Sequence, residues 1–301
     1  MPQVIENLPF GDYCQIERMN PSTLVHGRTS MRALKYAMQG RTKEPTQAMQ
    51  FGNKYHCMIL EPEEFEATFL VMPNYANDPE NVVVSGPTKG DRSYSWATKF
   101  AKEAKQSFET MAELDGKQVI TRQEYDDGLY MCESVMAKPS AANIITTCKR
   151  EVTLLGEIGG VEFKGRLDLC GDGIIADLKG TRSVEVEKFG KDFVSLDYGM
   201  KLAIYQELYR QNFASGTPTV KVIAVQTAAP FDCVVYSSLQ PSLELGMKQA
   251  LAIIGKLRQS KATGVWHGVD CGLEELALYV PNWAMPEDEY QLDWEDEKVD
   301  A

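Results

Sequence analysis

The chain has 301 residues, 44% hydrophobic and 25% charged, with a formal net charge of −12. That is the composition of a globular protein large enough to bury a substantial core, and no apolar run approaches the ~20 residues of a membrane span. The first fifteen residues lack the basic-then-apolar layout of a secretory leader, and seven scattered cysteines, never spaced Cys-x-x-Cys, argue for reduced thiols in a cytoplasm and against a zinc or iron–sulfur cluster.

In chain order, residues 20–145 read as mainly helical. Asn20 or Ser22 offers an N-cap, and "TSMRALKYAMQ" places Met31, Leu34, Tyr36 and Met38 near one side. "QAMQFGNKYHCMIL" sets Met49, Tyr55, Met58 and Ile59 at helical spacing, and Pro62 opens a short helix. Residues 73–95 are loop-like. Two more helices run from Trp96 to about Ala112 and from Thr121 to Met136, the second opened by a Thr121–Glu124 capping box. At Glu151 the pattern turns β-branched and is broken by Gly pairs, which predicts a three-stranded meander. A helix (197–215), two strands (219–230 and 231–238) and a last helix (241–259) capped by Ser242 complete the order. The expected fold is α/β (α+β), a mixed central sheet over 150–260 flanked by helices, with an N-terminal helical layer. A single domain would span 1–286. Residues 287–301, with eight acids and one lysine, read as a solvated acidic tail or a docking segment that mimics nucleic acid.

"GRLDLCGDGIIADLKGTRS" (165–183) carries the chemistry. Asp172-Gly173 is the sequence of a two-residue hairpin in a type I′ turn, with positive φ at both positions. That register places Asp168 directly opposite Asp177, Cβ atoms about 4.5–5.5 Å apart, with Lys179 on the same face. Opposed like charges destabilise a sheet, so either the face is solvated or a divalent cation on hard oxygen ligands compensates. The flanking Ile174, Ile175 and Ala176 leave little open face, which favours the cation. Glu151 would bring a third carboxylate. Three carboxylates and a lysine suit metal-assisted phosphodiester hydrolysis, with Lys179 orienting or deprotonating a water and stabilising the developing charge. Upstream, Lys89, Arg92, Lys99, Lys102 and Lys105 interleave with Tyr94 and Trp96, either as an exposed helix face or as DNA-backbone contacts with stacking on an unpaired base. Arg28, Arg32 and Arg41 are further candidates for holding a terminal phosphate.

Asp…Asp-x-Lys on a hairpin followed by a helix resembles the PD-(D/E)xK nuclease superfamily. "FGNKYHCMILEPEEF" (51–65) is similar to the Gly-x-x-x-His segment of RecE-type phage exonucleases, and "EVTL", "GRLD", "ADLKG" and "YVPNWA" (279–284) follow in that family's order. Over residues 20–284 the chain therefore resembles the RecE/lambda-type, RecB-like exonucleases. The resemblance implies that Asp168, Asp177 and the Leu178 carbonyl are metal ligands and that Lys179 is the catalytic lysine. It also implies that Glu151 lies at the metals and that His56 serves a second ion, the two ions being Mg2+ with Mn2+ able to substitute. His26 and His267 have no such context. The family's Gln-x-x-x-Tyr helix is matched here by Lys201-x-x-x-Tyr205, or by Gln206 and Tyr209 at altered spacing; a shared helix face at i, i+4 favours Lys201 and Tyr205. The implied function is a DNA exonuclease that resects linear duplex ends 5′ to 3′ in the bacterial host cytoplasm. It would leave single-stranded tails for an annealing protein in phage-type recombination and act as a ring-shaped trimer or tetramer, with no membrane partner. A restriction-like or structure-specific endonuclease, and a non-catalytic DNA- or protein-binding recombination module with a structural cation, are the other readings.

Overall fold

Six strands form a mixed sheet at the centre of the computed structural model, which describes residues 1–40, 47–84, 87–237 and 239–278. In chain order these are β1 (Gln3–Ile5), β4 (Lys149–Ile158), β5 (Val161–Gly171), β6 (Ile174–Thr181), β7 (Thr219–Gln226) and β8 (Cys233–Tyr236). They lie side by side in that order; only the β6–β7 pair is parallel. A separate parallel pair, β2 (Phe69–Val71) and β3 (Gln118–Ile120), sits in the helical part. The helices are α1 (Phe10–Gln15), α2 (Pro21–Val25), α3 (Met31–Met38), α4 (Gln47–Leu60), α5 (Pro62–Thr68), α6 (Lys99–Leu114), α7 (Arg122–Ala137) and α8 (Pro139–Thr147), then α9 (Val186–Ser195), α10 (Tyr198–Asn212) and α11 (Gln240–Thr263). Among the described residues no helix is long and apolar enough to cross a membrane.

Helix ends follow local chemistry. Asn20 rather than Ser22 caps α2, accepting from Thr23 N at 2.6 Å, and the Thr121–Glu124 capping box opens α7 with both reciprocal bonds formed. The last helix departs from expectation. It starts at Gln240 behind Leu239, and Ser242 lies inside the first turn, where Pro sets the helical φ without a side-chain cap. In α3 the buried stripe is Met31, Leu34 and Ala37, while Tyr36 and Met38 are 50% and 41% exposed, because three-residue steps keep one side facing the core. The short β1, β2 and β3, and helices α1 and α8, carry no strong periodic signal, while α9 adds to the expected elements a helix whose Phe189 and Phe193, four residues apart, face the core.

The sheet is covered on both faces. On one face α2, α3, α9, α10 and α11 bury Leu34, Phe163, Met200, Leu208, Val222 and Leu257. On the other, α4, α7 and α8 bury Tyr55, Met131, Ile144, Leu178 and Ile223. Each such side chain contributes about 1.5–3 kcal/mol by leaving water.

The β5–β6 hairpin keeps the expected register, with Gly171 opposite Ile174 and Leu169 opposite Ala176. Its turn is not type I′, because only Gly173 of the two turn residues has positive φ (69°). Tyr209 braces it instead. Its hydroxyl accepts from Gly173 N at 2.8 Å and donates to Gly171 O at 2.9 Å. The ladder ends at Leu169↔Ala176, so Asp168 and Asp177 are not a paired couple across it. β6 continues instead along β7 as far as Thr181↔Gln226.

A second irregularity lies between β4 and β5. Pairing runs through Arg150↔Leu169 and resumes at Val152↔Leu167, omitting Glu151 and Asp168. Glu151 has φ 52°, left-handed and uncommon for a residue with a side chain. Side-chain alternation slips by one here: Leu167 and Cys170 join the same core cluster while Leu169 joins the other. The slip re-aims Glu151 and Asp168 out of the regular sheet faces.

Candidate active site

α4 carries His56 to this break. The approach depends on Gly128 of α7, where a Cβ would stand 2.5 Å from Met58 Sδ and 3.0 Å from the Tyr55 ring. His56 Nε2 lies 3.0 Å from Asp168 Oδ2, and its Nδ1 lies 3.5 Å from Glu151 Oε1. Asp168 Oδ2 also accepts from the Leu178 amide at 2.8 Å, taking the place of a cross-strand carbonyl where the ladder has opened. Glu151 Oε2 accepts from Arg166 Nε. The Arg166 guanidinium donates further to Leu8 O at 3.0 Å, meets Glu61 at 3.5 Å and lies under the Phe10 ring.

Lys179 stands beside this group. Its Nζ is 2.5 Å from Asp177 Oδ2, 3.2 Å from Leu178 O and 3.9 Å from Asp168 Oδ2. Lys179 and Lys201 both lie against the ring of Tyr198, at 5.5 and 5.3 Å from its centroid.

The charges are tightly linked. Burial alone would lower the His56 pKa, but the Asp168 carboxylate with its hydrogen bond, and then Glu151, carry it up to about 9. Asp168 moves down, because His56, Lys179 and the Leu178 amide outweigh its burial. Asp177 and Glu151 move up, chiefly through burial. Lys179 is raised: burial opposes its charge, but Asp177 and Asp168 prevail. Lys201 is lowered by burial and by Lys179.

One nitrogen of His56 and one oxygen each of Glu151 and Asp168 lie within 4.8 Å of one another. Glu151 Oε1 is buried and has no hydrogen-bond partner. A buried carboxylate oxygen with no hydrogen bond and only the His56 ring at 3.5 Å is poorly satisfied, and a divalent cation among these three donors would satisfy it. The donor set therefore fits a hard cation.

Of the residues singled out from sequence, the structure brings His56, Glu151, Asp168, Asp177, Leu178 and Lys179 together. Asp177 stands outside the three-donor group, against Lys179. On α10, Lys201 and Tyr205 belong to this neighbourhood. The Tyr205 hydroxyl is pushed well up, first by burial, then by Tyr13 and by Asp177, Asp168 and Glu151. Gln206 instead donates to Pro218 O, and Tyr209, four residues beyond Tyr205 on the same side of α10, is taken up by the hairpin turn, so both are engaged elsewhere. Arg28 pairs with Asp197 at the head of α10. Arg92 does not join the site; it donates to Asn77 O and lies over Tyr94, while Trp96 packs on Tyr75 and Lys89 is exposed. Arg41, the 279–284 segment and the acidic tail lie outside the described residues. Sequence reasoning missed Arg166 and Tyr198. Arg166 could have been found two residues before Asp168, on the same side of its strand by simple alternation, and Tyr198 three before Lys201 on one helix face.

Comparison with known proteins gives the family and the fold. Residues 22–277 match the model of a family described as a PDDEXK-like domain of unknown function (DUF3799). The crystal structure of a "putative exonuclease" from Eubacterium rectale superposes with a TM-score of 0.57 at 12% identity, covering 93% of this chain and 97% of that one. At that identity the likeness is one of fold. No curated protein matches the chain.

Proposed function

The chain belongs to this PDDEXK-like family, within the PD-(D/E)xK nuclease superfamily, and on that premise we propose that it is a divalent-cation-dependent deoxyribonuclease degrading linear double-stranded DNA from its ends. The observation that carries the reading is the His56–Glu151–Asp168 donor group, with a buried Glu151 oxygen that no hydrogen bond satisfies, set beside the Asp177–Lys179 pair. His56, Glu151 and Asp168 would hold the cation, with Asp177 and the Leu178 carbonyl as the nearest further oxygens. A bound Mg2+ or Mn2+, singly or as two ions, supplies Lewis-acid polarisation of a phosphoryl oxygen and lowers the pKa of a water.

The chain's own groups do the rest. Lys179, held by Asp177 and beside Asp168, orients the attacking water and stabilises developing negative charge. Lys201, held against Tyr198 beside Lys179, takes the phosphate flanking the scissile bond, and Tyr205 backs it. Arg28, paired with Asp197 at the head of the same helix, would take a terminal phosphate. In this reading cleavage runs 5′ to 3′ and leaves single-stranded tails for a strand-annealing partner in phage-type recombination in a bacterial cytoplasm. A ring-shaped trimer or tetramer of the chain would enclose the duplex.

The test is digestion of linear duplex labelled at its 5′ or 3′ ends, beside a covalently closed circle, with Mg2+ or with chelator. Cation-dependent loss of the 5′ label first, with the circle intact and Asp177→Ala inactive, is the expected result. Wild-type digestion by Asp177→Ala overturns the site assignment, and cutting of the circle makes the enzyme an endonuclease.

A further inference from the structure

A cavity of about 530 Å³ lies in the helical layer, where β3, α6 and the first turn of α7 meet. Its wall is the Trp96 indole, 43% exposed. That indole does not swing freely. Tyr75 meets it edge-on at 6.3 Å, and Phe108 braces Tyr75 in turn at 6.4 Å. Met72 and Val119 supply an apolar surface, and Asn74 and Gln123 place side-chain amides at the margin. The Gln123 amide nitrogen is already given to Asp127, which turns its carbonyl oxygen into the available group. The two cations of the rim are neutralised within the rim: Arg122 by Asp126 at 3.0 Å, Lys105 by Glu109 at 3.7 Å.

A flat aromatic wall, an apolar floor and amide edges with no net charge match a planar, uncharged, hydrogen-bonding ring better than a phosphate. Charge is found just outside. Lys89, Arg92 and Lys102 lie exposed on the segment that leads to and from Trp96, with Lys99 among them paired to Glu103 at 3.7 Å, and exposed Tyr94 sits under Arg92. A backbone following those cations would present one base to the indole. Lys54, two residues before His56 on α4, pairs with Glu124 in the first turn of α7 at 2.7 Å, so an ion pair joins the helix of the cation site to the helix at the cavity.

We infer that this cavity binds an unpaired base of single-stranded DNA, stacked on Trp96, with the strand's phosphates on the adjacent lysines. The inference rests on the nuclease reading in identifying the strand as one that the enzyme's own action uncovers. Such a site would keep hold of the surviving strand while the other is consumed.

Binding is measured by fluorescence anisotropy with a labelled oligothymidylate and with a blunt hairpin duplex, in chelator so that nothing is cut. Trp96→Ala should weaken oligothymidylate binding about tenfold or more, Trp96→Phe should keep most of it, and Gln123→Ala should weaken it less. Duplex binding and Mn2+ affinity should stay at wild-type values in all three, which also reports that the variants are folded. Unchanged oligothymidylate affinity in Trp96→Ala overturns the inference. A chain that binds the single strand through Trp96 but cuts no DNA sinks the nuclease reading and leaves this one standing. A chain that degrades duplex ends with a Trp96-independent strand affinity does the reverse.

Discussion

Arg166 holds Glu151 by one carboxylate oxygen and leaves the other to the His56 ring. Its Nε donates to Oε2, while Oε1 is buried without a hydrogen bond and faces His56. The guanidinium is itself fixed by Leu8 O, Glu61 and Phe10, so it can act as a rigid clamp on a residue whose backbone is left-handed. Partners of this kind orient ligands, and their loss costs about 10–100-fold in metal affinity. Arg166→Gln should weaken Mn2+ binding by that order in calorimetry, with Arg166→Lys in between. Tighter binding in Arg166→Gln would show that the clamp's charge matters more than its geometry.

Cation binding should expel a proton from His56. With a pKa of about 9 in the metal-free chain, the imidazole is charged at neutral pH and must become neutral to act as a ligand. Mn2+ titrations at pH 7.5 in two buffers of different ionisation enthalpy should report about one proton released, fading above pH 9 and absent in His56→Gln. The same shift sets a stability window. Because the folded-state pKa lies above the unfolded value near 6.5, wild type should exceed His56→Gln most below about pH 6.5 and lose that margin as pH rises through about 9. Thermal melts of both chains across pH 5.5–10 test the sign.

Lys179 should matter for turnover far more than for cation affinity. It ties down Asp177 and is not one of the three donors. Lys179→Met should lower the cleavage rate by about 10²–10³, while Mn2+ binds at least as tightly, since a neighbouring positive charge is gone. Single-turnover rates and calorimetry on the same preparation separate the two.

The Tyr209 hydroxyl is the hairpin's latch. Tyr209→Phe strands Gly171 O and Gly173 N, a loss of about 1–3 kcal/mol, read as a lower urea midpoint at unchanged slope.

Gly246 sets the distance between α10 and α11. A Cβ there would sit 2.5 Å from the Gly199 carbonyl and 2.6 Å from Met200 N, backbone atoms that cannot yield. Gly246→Ala should destabilise by at least about 1–3 kcal/mol and displace Tyr198 and Lys201 with their helix. Gly255, on the same helix with nothing within 4 Å of its added Cβ, is the control. Gly255→Ala should stabilise by up to about 1 kcal/mol.

What the sequence determined by itself was local. Asp172-Gly173 set the β5–β6 register, Thr121 and Glu124 set the start of α7, and the order of strands and helices from residue 150 placed Asp168, Asp177 and Lys179 at one end of a hairpin. These depend on neighbours within a few residues, whose backbone preferences are written in their side chains. The tertiary structure decided the rest. Tyr209, from another helix, accounts for a turn that needs no type I′ geometry. Glu151 turns left-handed beside a break in the ladder, and Arg166, which nothing nearby in the chain marks as its partner, takes one of its oxygens. His56 reaches Asp168 because Gly128, 72 positions on, lets two helices close together. Lys201 lies against Tyr198 beside Lys179, while Tyr209, on the same side of α10 as Tyr205, is taken up by the hairpin turn and Gln206 by Pro218 O. Each of these rests on a contact between distant segments, where packing and desolvation outweigh any local preference.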